Sequence, residues 1–201
     1  MSAELTPSQK SWTPWLYDSR MTLRQLYEEL PGDTARGTPW YVKLLENPQS
    51  PMALAGAVDL FTHDCIHLVL GRGLLPQDEA FVLGFTMGTN RASPWWHPYL
   101  LGFCAQHLYR GVYRFSELER NVFQFAFAVG QLSPVPSLRQ VDFRALFDES
   151  LDRVRAKLGL DARLLSEIYQ GERLRWPETS ASRRLGTSSL GGLPVGVTAE
   201  A

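Results

Sequence analysis

The chain has 201 residues, 44% of them hydrophobic and 20% charged, which suits one globular domain with a sizeable core and excludes disorder as a description of the whole. Lys plus Arg total 20 against 21 Asp plus Glu, a net charge of −1, so nothing supports electrostatic binding of nucleic acid or an anionic membrane as the main purpose. Cys65 and Cys104 form no Cys-x-x-Cys pair, which argues against a zinc ribbon or a disulfide framework and for a reducing compartment.

Taken in chain order, the opening MSAELTPSQKSW has no basic-then-apolar pattern and carries Glu4, so no targeting segment is expected. No apolar run reaches the roughly 18 residues of a membrane span, and a soluble or peripheral protein is expected. Leucine occurs 30 times and isoleucine twice, a bias toward helix-tolerant side chains. Thr22 and Gln25 form a capping box that opens a helix stopped by Pro31-Gly32. A short helix is expected over Pro39–Glu46, and a long central one over Met52–Leu70 closed by Gly71-Arg72-Gly73. Pro76, Asp78 and Glu79 suit the first turn of its antiparallel neighbour, which continues to about Gly88. An aromatic-rich helix follows over Pro98–Arg114, and Ser116 with Glu119 caps another running to Leu132. Two amphipathic helices cover Asp142–Leu158 and Asp161–Tyr169. The expected fold is an all-α, single-domain bundle of about seven helices: an N-terminal extension over 1–20, a helical domain over 21–176, and a flexible tail over 177–201 rich in Ser, Thr, Gly and Pro.

The segment from Met52 to Gly71 holds no Lys, Arg or Glu, yet contains Asp59, His63, Asp64 and His67. On a helical wheel Leu54, Val58, Phe61, Cys65 and Leu68 form one stripe, with His63, Asp64 and His67 opposite. A solvated face would carry Lys and Glu, so these polar groups belong to an enclosed surface. His63 and His67, at i and i+4, can give two imidazoles to one ion. Asp64 can reach the same place, and the turn GRGLLPQ brings back Glu79. Four nitrogen and oxygen donors without a thiolate suit a divalent metal, Zn²⁺ first. The bland alternative is a pair of satisfied core histidines with Asp64 as orienting partner. Cys65 reads as core packing, and His97 and His107 fall outside the constellation. For Arg72 a solvated turn position is favoured over an anion contact.

The run His63-Asp64-Cys65-Ile66-His67, followed after eleven residues by Glu79, resembles the His-Asp-x-x-His plus Glu zinc motif of the ubiquinone (coenzyme Q) biosynthesis protein four family. The flanking HLVLGRGLLPQDEAFVLGF is similar to the family's glycine turn and second helix. The resemblance implies an all-helical fold and metal ligands at His63, Asp64, His67 and Glu79. It implies a role in oxidative C1 decarboxylation of a polyprenylated hydroxybenzoate, alongside other quinone-biosynthesis enzymes. The partners expected on this basis are a polyprenylated aromatic or isoprenoid lipid, those enzymes and a second copy of the chain, with no nucleic acid. The expected location is cytoplasmic and peripherally membrane-associated in a bacterium, or the matrix face of the mitochondrial inner membrane in a eukaryote.

Phe103, Phe115, Phe123, Phe125 and Phe127 with Trp95 and Trp96 offer a candidate prenyl channel, with core packing as the favoured alternative. The competing functional reading is a non-catalytic, zinc-stabilised lipid-binding scaffold. A phosphohydrolase built on a His-Asp doublet needs a further histidine upstream, and none precedes His63.

Overall fold

Capping chemistry sets several helix boundaries in the computed structural model, which describes residues 6–12, 20–31, 48–50, 53–54, 56–109, 114–160 and 162–187. The described residues form α-helices α1 (Pro7–Ser11), α2 (Leu23–Glu28), α3 (Leu60–Leu70), α4 (Pro76–Thr89), α5 (His97–His107), α6 (Glu117–Leu132), α7 (Leu151–Leu158), α8 (Ala162–Arg175) and α9 (Ser180–Thr187). A short 3-10 turn lies at Leu138–Gln140, and the one extended pairing among these residues is an isolated bridge between Thr22 and Ser150. The chain is all-α, as its composition predicts. None of the described helices is long and apolar enough to cross a membrane.

The capping boxes Thr22/Gln25 and Ser116/Glu119 both form and open α2 and α6. Pro76 takes the first turn of α4, and Gly71 ends α3 in the left-handed conformation, φ 66°. A side chain at Gly71 would strain that turn.

Several boundaries differ from expectation. The central helix begins at Leu60 rather than Met52, because the Asp59 carboxylate accepts hydrogen bonds from the Thr62 backbone amide and hydroxyl, both at 3.0 Å, and so acts as the N-cap. Leu54 and Val58 therefore precede the helix. The aromatic helix ends at His107, before the expected Arg114. Asp142 accepts from the Arg144 and Ala145 amides and holds a run of turns, so the helix expected from Asp142 begins only at Leu151. Conversely, α8 runs on to Arg175. The clearest correction concerns the expected flexible tail: Ser180–Thr187 is helical and buries Ala181, Ser182 and Leu185. Its buried side chains are mostly small, so they leave little apolar periodicity to read. The helix expected over Pro39–Glu46 and the end of the tail, 188–201, lie outside the described residues.

The metal-candidate helix α3 packs among α2, α4 and α7. The most extensive helix contact joins α4 to α6. It depends on glycine at three places. A β-carbon on Gly84 or Gly88 would run into the carbonyl oxygens of Phe123 and Phe127, and one on Gly130 would lie 2.6 Å from the Phe85 carbonyl oxygen. Backbone meets backbone along this seam, with Phe81, Phe85, Val122, Phe123 and Ala126 filling the flanks.

Gly84→Ala and Gly88→Ala should each destabilise the fold by at least about 1–3 kcal/mol, the usual cost of overpacking, because backbone carbonyls cannot step aside. Gly102, in α5, has open space where a β-carbon would project. Gly102→Ala should raise stability by about 0.5–1 kcal/mol through helix propensity alone. Urea unfolding of the three variants measures the contrast, and equal effects at Gly88 and Gly102 would contradict the seam.

Candidate metal centre

Two elements deliver the donors. α3 projects His63 and His67 from successive turns, and the Gly71–Leu75 turn returns the chain so that Glu79 enters from the first turn of α4. His63 Nε2 lies 3.0 Å from His67 Nε2 and 3.0 Å from Glu79 Oε2, and His67 Nε2 lies 3.4 Å from the same carboxylate oxygen. Donors about 2.0–2.1 Å from a tetrahedral ion sit about 3.3 Å from one another, so this triangle fits three ligands of one metal. These three residues could together hold a metal ion.

The proton inventory supports that fit. His67 Nδ1 donates to the Gly73 carbonyl oxygen at 2.8 Å, and a carbonyl can only accept, so Nδ1 carries a proton. In the neutral ring the lone pair is then on Nε2, aimed at His63 and Glu79. A backbone carbonyl behind a ring nitrogen is the usual outer support of a metal-binding histidine. Burial alone would raise the Glu79 pKa; the charge of His67 and hydrogen bonds from both histidines outweigh it and hold the carboxyl well below the ordinary carboxylate range. Those hydrogen bonds place protons between the imidazoles and the carboxylate, and a bound cation would take the place of those protons.

The site has a closed floor and an open rim. The His67 side chain is 1% exposed, against 22% for His63 and 32% for Glu79. Three protein donors with access from one side match the ligand number of catalytic zinc sites, which keep a position open, better than that of closed structural ones.

Asp64 is not brought to this group. It is buried on the flank of α3 that meets α2, where it takes a hydrogen bond from Tyr27. Burial and then the Asp64 charge raise the Tyr27 phenol pKa. Tyr27, Phe61 and Phe147 pack with ring centroids 5.1–5.5 Å apart and close this side. Cys65 is a fully buried core residue, as expected, its thiol pushed up to about 12 by burial and by Asp64 and Asp59. His97 opens α5 and His107 ends it, and neither joins the donor group.

Arg72 overturns the expectation of a solvated turn arginine. It has no exposed surface, donates to Glu172 Oε2 at 2.7 Å, and lies 3.8 Å from Asp78 Oδ1. Its guanidinium also stacks on Phe81, 3.8 Å from the ring centre, and faces Tyr169 at 5.0 Å. Burial works against its charge, but Glu172 and Asp78 outweigh that and raise its pKa. Gln77 completes the cluster, donating to Glu172 at 2.6 Å and to Ser182 at 3.0 Å.

Two residues that the sequence reading did not single out, Arg155 and Tyr169, secure the same end of α3. Arg155 donates to the Val69 and Leu68 carbonyls at 2.8 and 3.4 Å, and the Tyr169 hydroxyl donates to Leu70 O. They satisfy carbonyls that a helix end leaves without an intrahelical donor. Burial lowers the Arg155 pKa to about 10.

The aromatic side chains named as a candidate channel divide between the core and the surface. Phe115 and Phe123 belong to the core, while Phe125 packs on Trp176, their centroids 6.0 Å apart. Trp95, Trp96, Tyr99, Phe103 and Leu108 are instead exposed on α5 and the turn before it, Trp95 to 79%. A surface groove of about 310 Å³ between α5 and α6 is lined by Tyr99, Phe103, His107, Arg120 and Phe123 among others.

Comparison with protein-family models, curated proteins and solved structures returns no match to this chain.

The triangle predicts one bound divalent ion per chain, probed here with Zn²⁺, with affinity lost in His67→Ala and in the His63→Ala/Glu79→Ala double variant. Asp64→Asn should change that affinity less than tenfold while lowering Tm. Chelator competition and thermal melts measure both, and loss of zinc in Asp64→Asn would make Asp64 a fourth ligand. Affinity should also fall as the solution is made more acidic, because a protonated imidazole must release its proton to bind metal.

Proposed function

We propose that this chain is a metal-dependent enzyme of ubiquinone assembly, acting in oxidative C1 decarboxylation of a polyprenylated hydroxybenzoate. The observation that carries the reading is the convergence of His63, His67 and Glu79 on one point, open on one side, within a sequence that resembles the family motif. Zn²⁺ held there would supply a Lewis acid able to bind the substrate carboxylate and stabilise charge developing on the ring.

The chain's own groups have separable tasks. His67, held through Nδ1, presents Nε2 without further reorganisation. Glu79 and His63 form the accessible rim that substrate would approach. The aryl carboxyl carbon leaves as CO₂ and a hydroxyl takes its place, a two-electron oxidation whose oxidant comes from outside the chain: a peroxide, which leaves water, or dioxygen together with an external two-electron reductant that takes the second oxygen atom to water.

A second reading, a zinc-stabilised lipid-binding scaffold for quinone-biosynthesis enzymes, draws on the exposed aromatic face of α5. Residues 80–116 contain no Asp or Glu but include Arg91, Arg110 and Arg114. Exposed Trp and Tyr suit the interface of a bilayer, where a membrane-dissolved substrate would be met. This face serves either reading.

Complementation of a strain lacking the C1 decarboxylation step, with quinone precursors identified by mass, tests the proposal. Rescue by the wild-type chain and its loss in His67→Ala, at matched protein levels, is expected. Absence of rescue, or rescue undiminished in His67→Ala, would overturn the enzyme reading. Co-sedimentation with phosphatidylcholine/phosphatidylglycerol vesicles should fall at least fivefold in the Trp95→Ala/Trp96→Ala variant. Equal sedimentation of that variant and wild type would remove the lipid face.

A further inference from the structure

The carbonyl that orients His67 belongs to Gly73, and both ends of the described chain close over that glycine. A β-carbon at Gly73 would lie 2.8 Å from the Trp12 carbonyl oxygen, 3.0 Å from Arg184 NH1 and 3.0 Å from Asp78 Oδ2. Its φ is not positive, so space rather than backbone conformation requires glycine here. Arg184 ties the lid together. Its NH2 donates to Asp78 Oδ2 at 2.6 Å, while NH1 donates to the Lys10 and Trp12 carbonyls, each at 3.1 Å. The Asp78 oxygen that receives Arg184 also accepts from the Leu75 amide at 3.1 Å and so fixes the end of the same turn.

We infer that Arg184, in C-terminal helix α9, is a positioning residue for the metal centre: by clamping Trp12 and Asp78 around Gly73, it holds the carbonyl that keeps His67 protonated on Nδ1. The inference rests on the metal reading but makes its own demand on the metal-free protein. Without the clamp, the turn from Gly71 to Leu75 gains freedom, the Gly73 carbonyl moves from the ring, and His67 divides between its two tautomers. A ring protonated on Nε2 presents no lone pair to an ion. Outer supports of metal-binding histidines contribute about ten- to a hundredfold in affinity when removed, which sets the expected size.

The test combines two measurements on the full chain: Zn²⁺ affinity by chelator competition, and the tautomer of His67 from its side-chain ¹⁵N shifts in metal-free protein. Wild type should show His67 protonated on Nδ1. Arg184→Ala should weaken Zn²⁺ binding at least about tenfold and give a mixed tautomer. Gly73→Ala, which keeps every charge but crowds the lid, should do the same. Leu101→Ala, a core truncation in α5, serves as the stability control: it should lower Tm at least as much as Arg184→Ala with affinity and tautomer unchanged. An unaltered His67 tautomer in Arg184→Ala, or an affinity loss that Leu101→Ala reproduces, would overturn the inference. Failure of wild type to bind Zn²⁺ would remove the metal reading, and the tautomer comparison would still decide the role of Arg184.

Discussion

A fully buried cation is the constraint around which the rest of this structure is arranged. Taking the Arg72 guanidinium out of water costs several kcal/mol even after relaxation, and the cost is offset only if charge and hydrogen bonds meet it in good geometry. Glu172 from α8, Asp78 from α4 and the faces of Phe81 and Tyr169 supply them. Even so, Arg72 Nε and NH1 make no hydrogen bond, so the cluster leans on Coulombic attraction and ring contact as well. Such a cluster is stable only when complete. It ties the turn after α3 to α4 and α8, and through Gln77 and Ser182 to α9. The candidate metal centre borrows this rigidity, because His67 is oriented by the next residue of the same turn.

α3 itself is a short helix with its C-terminal carbonyls enclosed. Arg155, Tyr169, Gly71 and Arg72 all donate to those carbonyls, so the helix end stays satisfied without water. The positive charge of Arg155 at that end also complements the helix dipole. Two faces of the helix then have distinct tasks. One directs His63 and His67 toward α4, and the other sends Asp64 toward α2.

What was legible beforehand was local. Capping boxes, the Gly71 stop, Pro76 at a helix start and the spacing of His63, His67 and Glu79 all depend on residues close in sequence, and each has a short-range physical cause. What was illegible depends on distant partners. Glu172 is 100 residues from Arg72, so nothing near the turn revealed that its arginine was to be buried. Asp59 could have been a helix interior or a cap, and only the fold of the preceding segment decides. Asp64 shares a helical sector with the histidines, but the position of α2 determines which neighbour it meets. Helix α9 escaped notice because Ala181 and Ser182 are buried by close approach rather than by apolar bulk.

The glycine seam between α4 and α6 has a consequence for the rotational phase of Glu79. A helix turns about 100° per residue, so the azimuth at which Glu79 leaves α4 is set by its separation from Gly84 and Gly88. Those two positions must face α6, where no larger residue fits. Inserting or deleting one residue between Glu79 and Gly84 would keep the helix, the charge and the seam, yet swing the carboxylate about 100° away from the two imidazoles. A seam in which backbone meets backbone thus serves as the index mark against which a ligand is aimed.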